Sequence, residues 1–284
     1  MRATTPTTLR EALQQTQSLG LERLDAQMLL LLALGQNPNN RAWLLSHDQD
    51  PLFPDTATRL SELTRRRLNG EPMAYIQGEK AFFGLTLKVD ARVLVPRPDT
   101  ETLVEWALDA LGTGSIEQPR FLDLGTGSGA IALAVKSGHP TALVTATDAS
   151  GDALAVAQAN ARHLGLAVTF KQGAWLRAVA GERFHVIASN PPYIADGDCH
   201  LPALSHEPTA ALTAGPDGMN DLRDLIASTP DALETNGWLL LEHGHDQAEA
   251  VRRLLSTRGF EHVSSRSDIA GIPRCSGGQW LKRR

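Results

Sequence analysis

The stretch Phe121-Leu122-Asp123-Leu124-Gly125-Thr126-Gly127-Ser128-Gly129-Ala130 constrains the fold more than any other part of the chain. An apolar run of strand length ends in three glycines at alternate positions, and helix-forming residues follow. Glycines permit positive φ and let a ligand come close to the backbone, and the helix start offers unpaired N–H donors. Asp148 lies 23 residues beyond Gly125, at the end of the next apolar run. An acid at that place can accept hydrogen bonds from ribose hydroxyls. Strand, glycine turn, helix and spaced acid together point to a ligand of the adenosine type. Gly125-x-Gly127-x-x-Ala130 also satisfies the fingerprint for nicotinamide dinucleotides. Asp123 would sit poorly beside a pyrophosphate but suits the ammonium of a methionine moiety, which favours S-adenosylmethionine.

The flanking pattern gives the organisation. Residues 1–72 read as a helical domain. Thr7 or Thr8 can cap a helix running to about Leu19, with Gly20 after it. Leu21, Leu24, Met28, Leu31 and Leu32 recur at helical spacing, and Asn37-Pro38-Asn39-Asn40 breaks the pattern. Arg41–Ser46 and Asp55–Leu68 supply two more helices, and four short helices can share one core. Residues 73–98 read as a hairpin linker, with a strand across Phe82–Val89, a second at Val93-Leu94-Val95, and a stop at Pro96-Arg97-Pro98. From 99 to 284 the chain alternates, with strands expected at 120–124, 142–147, 167–171, 184–189, 237–242, 260–267 and 279–282. Helices fall between most of them. This spacing predicts an α/β fold: a Rossmann-like, mostly parallel sheet of seven strands with helices on both faces.

The strand expected at 184–189 ends unusually, in Asn190-Pro191-Pro192-Tyr193. Prolines cannot donate to a ladder, so the strand must stop there. In the usual order this strand lies next to the one before the glycine loop, so both ends face one crevice. Two prolines remove N–H donors and keep carbonyls, and Asn190 adds a side-chain oxygen. The corner presents acceptors, which suit a planar –NH2 group, and Tyr193 can stack on such a group. Acceptors that hold both hydrogens turn the nitrogen lone pair toward an electrophile and strengthen as positive charge develops. The proton can leave to water, so no histidine base is required.

Bulk properties narrow the classes. Hydrophobic residues make up 42% and charged residues 21%, ordinary for a globular chain. The net charge of −5 weighs against a nucleic-acid substrate. Dense basic clusters occur only at Arg65-Arg66-Arg67, on an expected helix, and at Lys282-Arg283-Arg284. The longest apolar run, around Met28 to Leu34, is too short to span a bilayer, and Met1 to Pro6 lacks the apolar segment of a secretory signal. A cytoplasmic location without a membrane partner is expected. Cys199 and Cys275 match no metal spacing and read as free thiols. His243 and His245 read as surface or supporting histidines, so no metal is expected.

The chain resembles the class I S-adenosylmethionine methyltransferases, and among them the release factor glutamine methyltransferases. The resemblance is carried by Tyr75-Ile76-Gln77-Gly78, Phe83-Gly84-Leu85, Val93 to Glu101, the glycine loop, Asn190 to Ile194, Glu207-Pro208, Asp217-Gly218 and Asp268-Ile269-Ala270-Gly271. Asn-Pro-Pro-Tyr alone is shared with DNA adenine methyltransferases; the Pro96–Glu101 segment with a helical N-terminal domain is more specific. The resemblance implies methylation of the glutamine in the Gly-Gly-Gln motif of class 1 peptide chain release factors. Glutamine methylation of a ribosomal protein and methylation of a nucleic-acid amine are the alternatives, and no direct nucleic-acid partner is expected. The resemblance gives the cofactor to Asp123, Gly125, Thr126, Gly127, Ser128, Gly129, Asp148, Trp175 and Asn190. It gives the catalytic and substrate-binding roles to Asn190, Pro191, Pro192 and Tyr193, and release-factor binding to the helical domain. Many members have an acid before the tryptophan where this chain has Ala174. Gly277-Gly278-Gln279 spells the substrate motif within the chain itself, where related chains lead one to expect a glycine turn before the last strand.

Overall fold

The first helix starts where the sequence places a cap. The Thr8 hydroxyl accepts the Glu11 N–H at 3.2 Å, and the Glu11 carboxylate accepts the Thr8 N–H at 3.3 Å, a capping box. The computed structural model describes residues 7–112 and 116–281, which leaves the basic run Lys282–Arg284 outside the described residues. The chain divides into two units, one up to Gly78 and one from Glu79 onward. The first unit comprises α1 (Leu9–Ser18), α2 (Arg23–Ala33), α3 (Arg41–His47), α4 (Pro54–Leu68) and α5 (Met73–Gln77). The sequence predicts four of these. The fifth is a single turn set between Pro72 and Gly78, whose φ of 74° ends it, and five residues are too few to show a period. Leu9, Leu29, Leu30, Leu44, Leu60 and Leu63 form the unit's core. Each such leucine contributes about 2 kcal/mol by burial. Leu24, expected on the buried stripe, is exposed. Asp25 of α2 and Arg67 of α4 are joined at 2.6 Å.

The second unit opens with a hairpin of β1 (Glu79–Phe82) and β2 (Leu85–Lys88). Phe83 and Gly84 make its two-residue turn with φ of 47° and 75°, both positive, as right-twisted hairpins favour. The hairpin therefore closes within the run read as one strand. Val93-Leu94-Val95 is not a strand: the Val95 N–H is given to the Glu207 carboxylate at 3.0 Å and not to a ladder. Val93 and Val95 are buried all the same, so their alternation reflects burial without sheet.

A single turn at Pro98–Thr100 leads into α6 (Glu101–Gly112), then β3 (Arg120–Leu124), α7 (Ala130–Gly138), β4 (Leu143–Asp148), α8 (Gly151–Leu164), β5 (Thr169–Gln172) and β6 (Phe184–Ser189). After a long loop come α9 (Asn220–Ser228), β7 (Leu233–Glu242), α10 (Ala248–Arg258), β8 (Glu261–Ser267) and β9 (Pro273–Trp280). The seven strands from β3 to β9 form one sheet in the order β5-β4-β3-β6-β7-β9-β8. The first five are parallel, and β9 is antiparallel to both neighbours. Side chains alternate across it. Phe121, Val186 and Leu240 join α6 and α7 on one face, while Leu122, Ile187, Leu239 and Leu241 join α9 and α10 on the other.

The last strand corrects the sequence reading. Gly277 and Gly278 are paired with Leu240 and Leu239 inside β9, so they do not form a turn. A Cβ on Gly277 would lie 2.6 Å from Leu240 Cδ2, and one on Gly278 would lie 2.8 Å from Phe260 Cβ. Glycine is present because neighbouring side chains occupy the space of a side chain. The Gln279 side chain donates to the Asn236 carbonyl at 2.9 Å. Gly277-Gly278-Gln279 is thus a piece of sheet and not an exposed substrate-like loop. Among the described residues no helix is long and apolar enough to cross a membrane.

The chain steps outward from β3 to β4 and β5, then returns to place β6 on the other side of β3. The carboxyl ends of β3 and β6 meet at this reversal, where open α/β sheets leave a crevice.

Candidate active site

The glycine loop forms one wall of a cleft of about 370 Å³ at that reversal. Gly125, Gly127 and Gly129 have φ of 72°, 55° and 86°, a backbone that glycine adopts without strain. The N–H groups of Gly125 and Thr126 both donate to the Thr147 carbonyl at 2.9 Å, which fastens the loop to the end of β4. Asp148 follows, and its two carboxylate oxygens accept the Gly127 and Ser150 N–H groups, each at 2.9 Å. Each oxygen keeps a lone pair for a hydroxyl donor from the cleft. No atom lies within 4 Å of a Cβ built on Gly127, whereas one on Gly125 meets the Trp175 ring at 3.4 Å. Trp175 stands at φ 49° after β5 and hydrogen-bonds Asp221, whose carboxyl is raised by burial. An open glycine backbone, an acid at the second strand end and an indole wall fit a nucleoside-bearing cofactor.

The structure brings Gly125, Thr126, Gly127, Ser128, Asp148, Trp175, Asn190 and Pro192 to this cleft. Four expected site residues lie elsewhere. Gly129 faces Leu133 and Ala157, which a Cβ there would meet at 3.0 and 3.2 Å. Asp123 is fully buried beneath the loop. One of its oxygens accepts the Thr126 hydroxyl at 2.6 Å and the Ala132 N–H at 3.1 Å, and the other has no protein partner. Burial lifts its carboxyl from the ordinary 3.8 to about 7, against the pull of both hydrogen bonds. Asp123 holds the loop to the start of α7 and does not stand on the cleft wall, where the ammonium of a methionine moiety would meet it. Pro191 is buried. Tyr193 packs on the core face that carries Leu239 and Leu241, and its hydroxyl donates to Glu242 at 3.4 Å. Tyr193 is thus held by its hydroxyl and is not among the residues that line the cleft.

Asn190 lies directly beyond β6 and lines the cleft. Its Nδ2 donates to the Thr100 hydroxyl at 3.3 Å, which leaves Oδ1 as a free acceptor. Sequence reasoning assigned no role to the residues behind it. Glu207 is buried and accepts from the Val95 N–H and the Arg97 guanidinium, closing the proline-rich segment against the long loop. Glu242 at the end of β7 is fully buried and hydrogen-bonds both Thr100 and Tyr193. Glu207 was visible only within a segment of the family resemblance and Glu242 not at all, since their partners lie far away in sequence. His243 is also buried, not on the surface. Its Nδ1 donates to the Gly244 carbonyl and its Nε2 meets the Ser276 hydroxyl, both at 2.8 Å, and burial lowers its pKa. Cys199 and Cys275 are free thiols.

Residues 7–78 match the PrmC N-terminal domain family, and residues 101–207 match the methyltransferase small domain family. The chain is 50% identical to the release factor glutamine methyltransferase of Bordetella pertussis, over 91% of this chain and 95% of that protein. The chain belongs to the release factor glutamine methyltransferases. Members from Coxiella burnetii and Escherichia coli are 44% and 41% identical, over 89% and 96% of this chain and 90% and 98% of theirs. The family relation makes the chain a methyltransferase. Among solved structures, a methyltransferase from Pyrococcus furiosus aligns with a TM-score of 0.54 at 19% identity, covering 78% of this chain and all of that one. A 16S rRNA N2 G1207 methyltransferase of T. thermophilus, solved with AdoMet and guanosine, aligns at 0.54 with 16% identity, over 71% of this chain and 49% of that one. Both share the fold.

Proposed function

We propose that the chain transfers a methyl group from S-adenosylmethionine to the side-chain amide nitrogen of the glutamine in the Gly-Gly-Gln motif of class 1 peptide chain release factors. The observation that carries the reading is Asn190: its amide nitrogen is spent on Thr100, which leaves its oxygen to accept, and the residue lines the same cleft as the open glycine backbone. S-adenosylmethionine supplies an electrophilic methyl group on a sulfonium. The residues that would hold it are Gly125 to Ser128 by backbone, Asp148 by its carboxylate and Trp175 by its ring; Ala174 contributes no acid beside that ring.

Asn190 Oδ1 accepts one N–H of the incoming amide. Pro191 and Pro192 offer no competing N–H donors, so the corner presents acceptors only. As methyl transfer places positive charge on the nitrogen, these acceptors bind it more tightly, and this difference lowers the barrier. Among the described residues the cleft wall has no histidine, and the proton departs to water. The helical unit, residues 7–78, serves to bind the release factor. Release factors act on ribosomes, which places the reaction in the cytoplasm.

The test is transfer of a labelled methyl group to a purified release factor, a glutamine-bearing large-subunit ribosomal protein, and ribosomal RNA in parallel. Label on the release factor supports the reading. Label only on the ribosomal protein or the RNA overturns it in favour of that substrate.

A further inference from the structure

Thr100 connects Asn190 to a buried acid that the proposed reaction does not use directly. Its hydroxyl is buried on the turn before α6 and lies between the Asn190 amide and the Glu242 carboxyl. Glu242 is 1% exposed and one of its oxygens has no protein partner. A hydroxyl has one proton to give. If it gives that proton to the Glu242 carboxylate, it can only accept from Asn190, and the Asn190 amide must then present Nδ2 to Thr100 and Oδ1 to the cleft. A lone Thr–Asn contact would permit either amide orientation, whereas an anion behind the threonine permits one. The Tyr193 hydroxyl donates to the same carboxylate, so the two ends of the Asn190–Tyr193 segment share one anchor.

We infer that Glu242 is the positioning residue for methyl transfer: through the Thr100 hydroxyl it fixes the polarity of the Asn190 amide, so that an acceptor and not a donor meets the substrate –NH2. The inference rests on the proposed role of Asn190. It also explains why β7 ends in a buried carboxyl with a vacant lone pair beside the crevice, an arrangement that costs stability unless it is used. Glu242 faces Asp99 from the turn before α6, Arg274 and Cys275 from β9, and Tyr193 from beyond β6. Burial, with Asp99 adding, raises its pKa to about 7 against the hydrogen bonds and Arg274. A protonated Glu242 can donate to Thr100, which then donates to Asn190 Oδ1 and turns the amide the wrong way. The aligned chain therefore needs the carboxylate.

The experiment is steady-state methyl transfer to a release factor across the neutral pH range, with cofactor affinity read separately by calorimetry. The proteins are the wild type, Glu242→Gln, Thr100→Val and Thr100→Ser. The inference expects wild-type kcat to fall as pH drops through about 7. In Glu242→Gln, kcat falls about tenfold or more and that acid limb disappears. Thr100→Val, which cuts the relay without touching the buried charge, loses a similar factor, and Thr100→Ser restores most of it. Cofactor affinity stays near the wild-type value in all four. Asp123 titrates in the same range, but its limb would persist in Glu242→Gln. Wild-type kcat and an unchanged limb in Glu242→Gln would overturn the relay, as would parallel loss of cofactor affinity and kcat in both Glu242→Gln and Thr100→Val. An inactive wild type would instead overturn the proposed function, and the relay with it.

Discussion

The proposed function gives Asn190 a part in chemistry and not in cofactor binding: its amide oxygen would meet the substrate nitrogen, whereas the glycine backbone and Asp148 would hold the cofactor. Asn190→Ala should therefore lower kcat by about 100-fold or more, as loss of a preorganised charge-stabilising group does, with cofactor affinity within about threefold of wild type as judged by calorimetry. Asp123 makes a different prediction, for stability. A carboxyl whose folded pKa is raised binds its proton more tightly when folded, so its contribution is fully present below 3.8 and lost as pH rises to about 7. The cofactor-free protein should lose melting temperature over that window, and Asp123→Asn should flatten the slope. An unaltered slope in the variant would assign the effect to other groups. Asp123 was legible as part of the motif, but its place was not: an acid next to a glycine loop can point into the cleft or beneath it, and the Thr126 hydroxyl and Ala132 N–H decide the matter here.

Glycine serves opposite purposes in two elements, and substitution should tell them apart. In the loop before α7, Gly127 has a positive φ and open space where a Cβ would be. Gly127→Ala should cost about 1 kcal/mol of stability yet weaken cofactor binding at least tenfold, because the methyl group lies where a ligand would approach. In β9, Gly277 has an extended backbone and no room, with Leu239 O at 2.8 Å and Leu240 Cδ2 at 2.6 Å from a Cβ. Gly277→Ala should cost about 1–3 kcal/mol by overpacking, measured by denaturant unfolding, with cofactor affinity retained in the protein that remains folded. Sequence reasoning located the loop glycines correctly because strand, glycine and helix are adjacent signals. It misread Gly277 and Gly278 as a turn, since a glycine required by a neighbour's side chain looks like one required by φ. It likewise gave Val93–Val95 a strand, because alternating burial is the same pattern whether the backbone pairs with a ladder or with Glu207.

At the scale of the molecule, the alternation of strands and helices made the seven-stranded sheet legible, and the glycine loop with Asp148 made its crevice legible. The relay behind the crevice was not. Thr100, Asn190 and Glu242 lie on three separate segments, and only the strand order, which places β6 between β3 and β7, brings them together. Periodicity says nothing about such register. The role given to the helical unit predicts a division of labour between the two units. A chain starting at Glu79 should retain cofactor binding by calorimetry, while kcat/KM for the intact release factor falls far more than for a short glutamine peptide. Equal losses on both substrates would remove release-factor binding from the helical unit.

The central claim is that one glutamine amide receives the methyl group at the Asn190 corner. Tandem mass spectrometry of a release factor treated with S-adenosylmethionine and either the wild type or Asn190→Ala tests it most directly. The account predicts a single methyl on the side chain of the Gly-Gly-Gln glutamine with the wild type and essentially none with the variant. A methyl on any other residue, or equal methylation by Asn190→Ala, would contradict it.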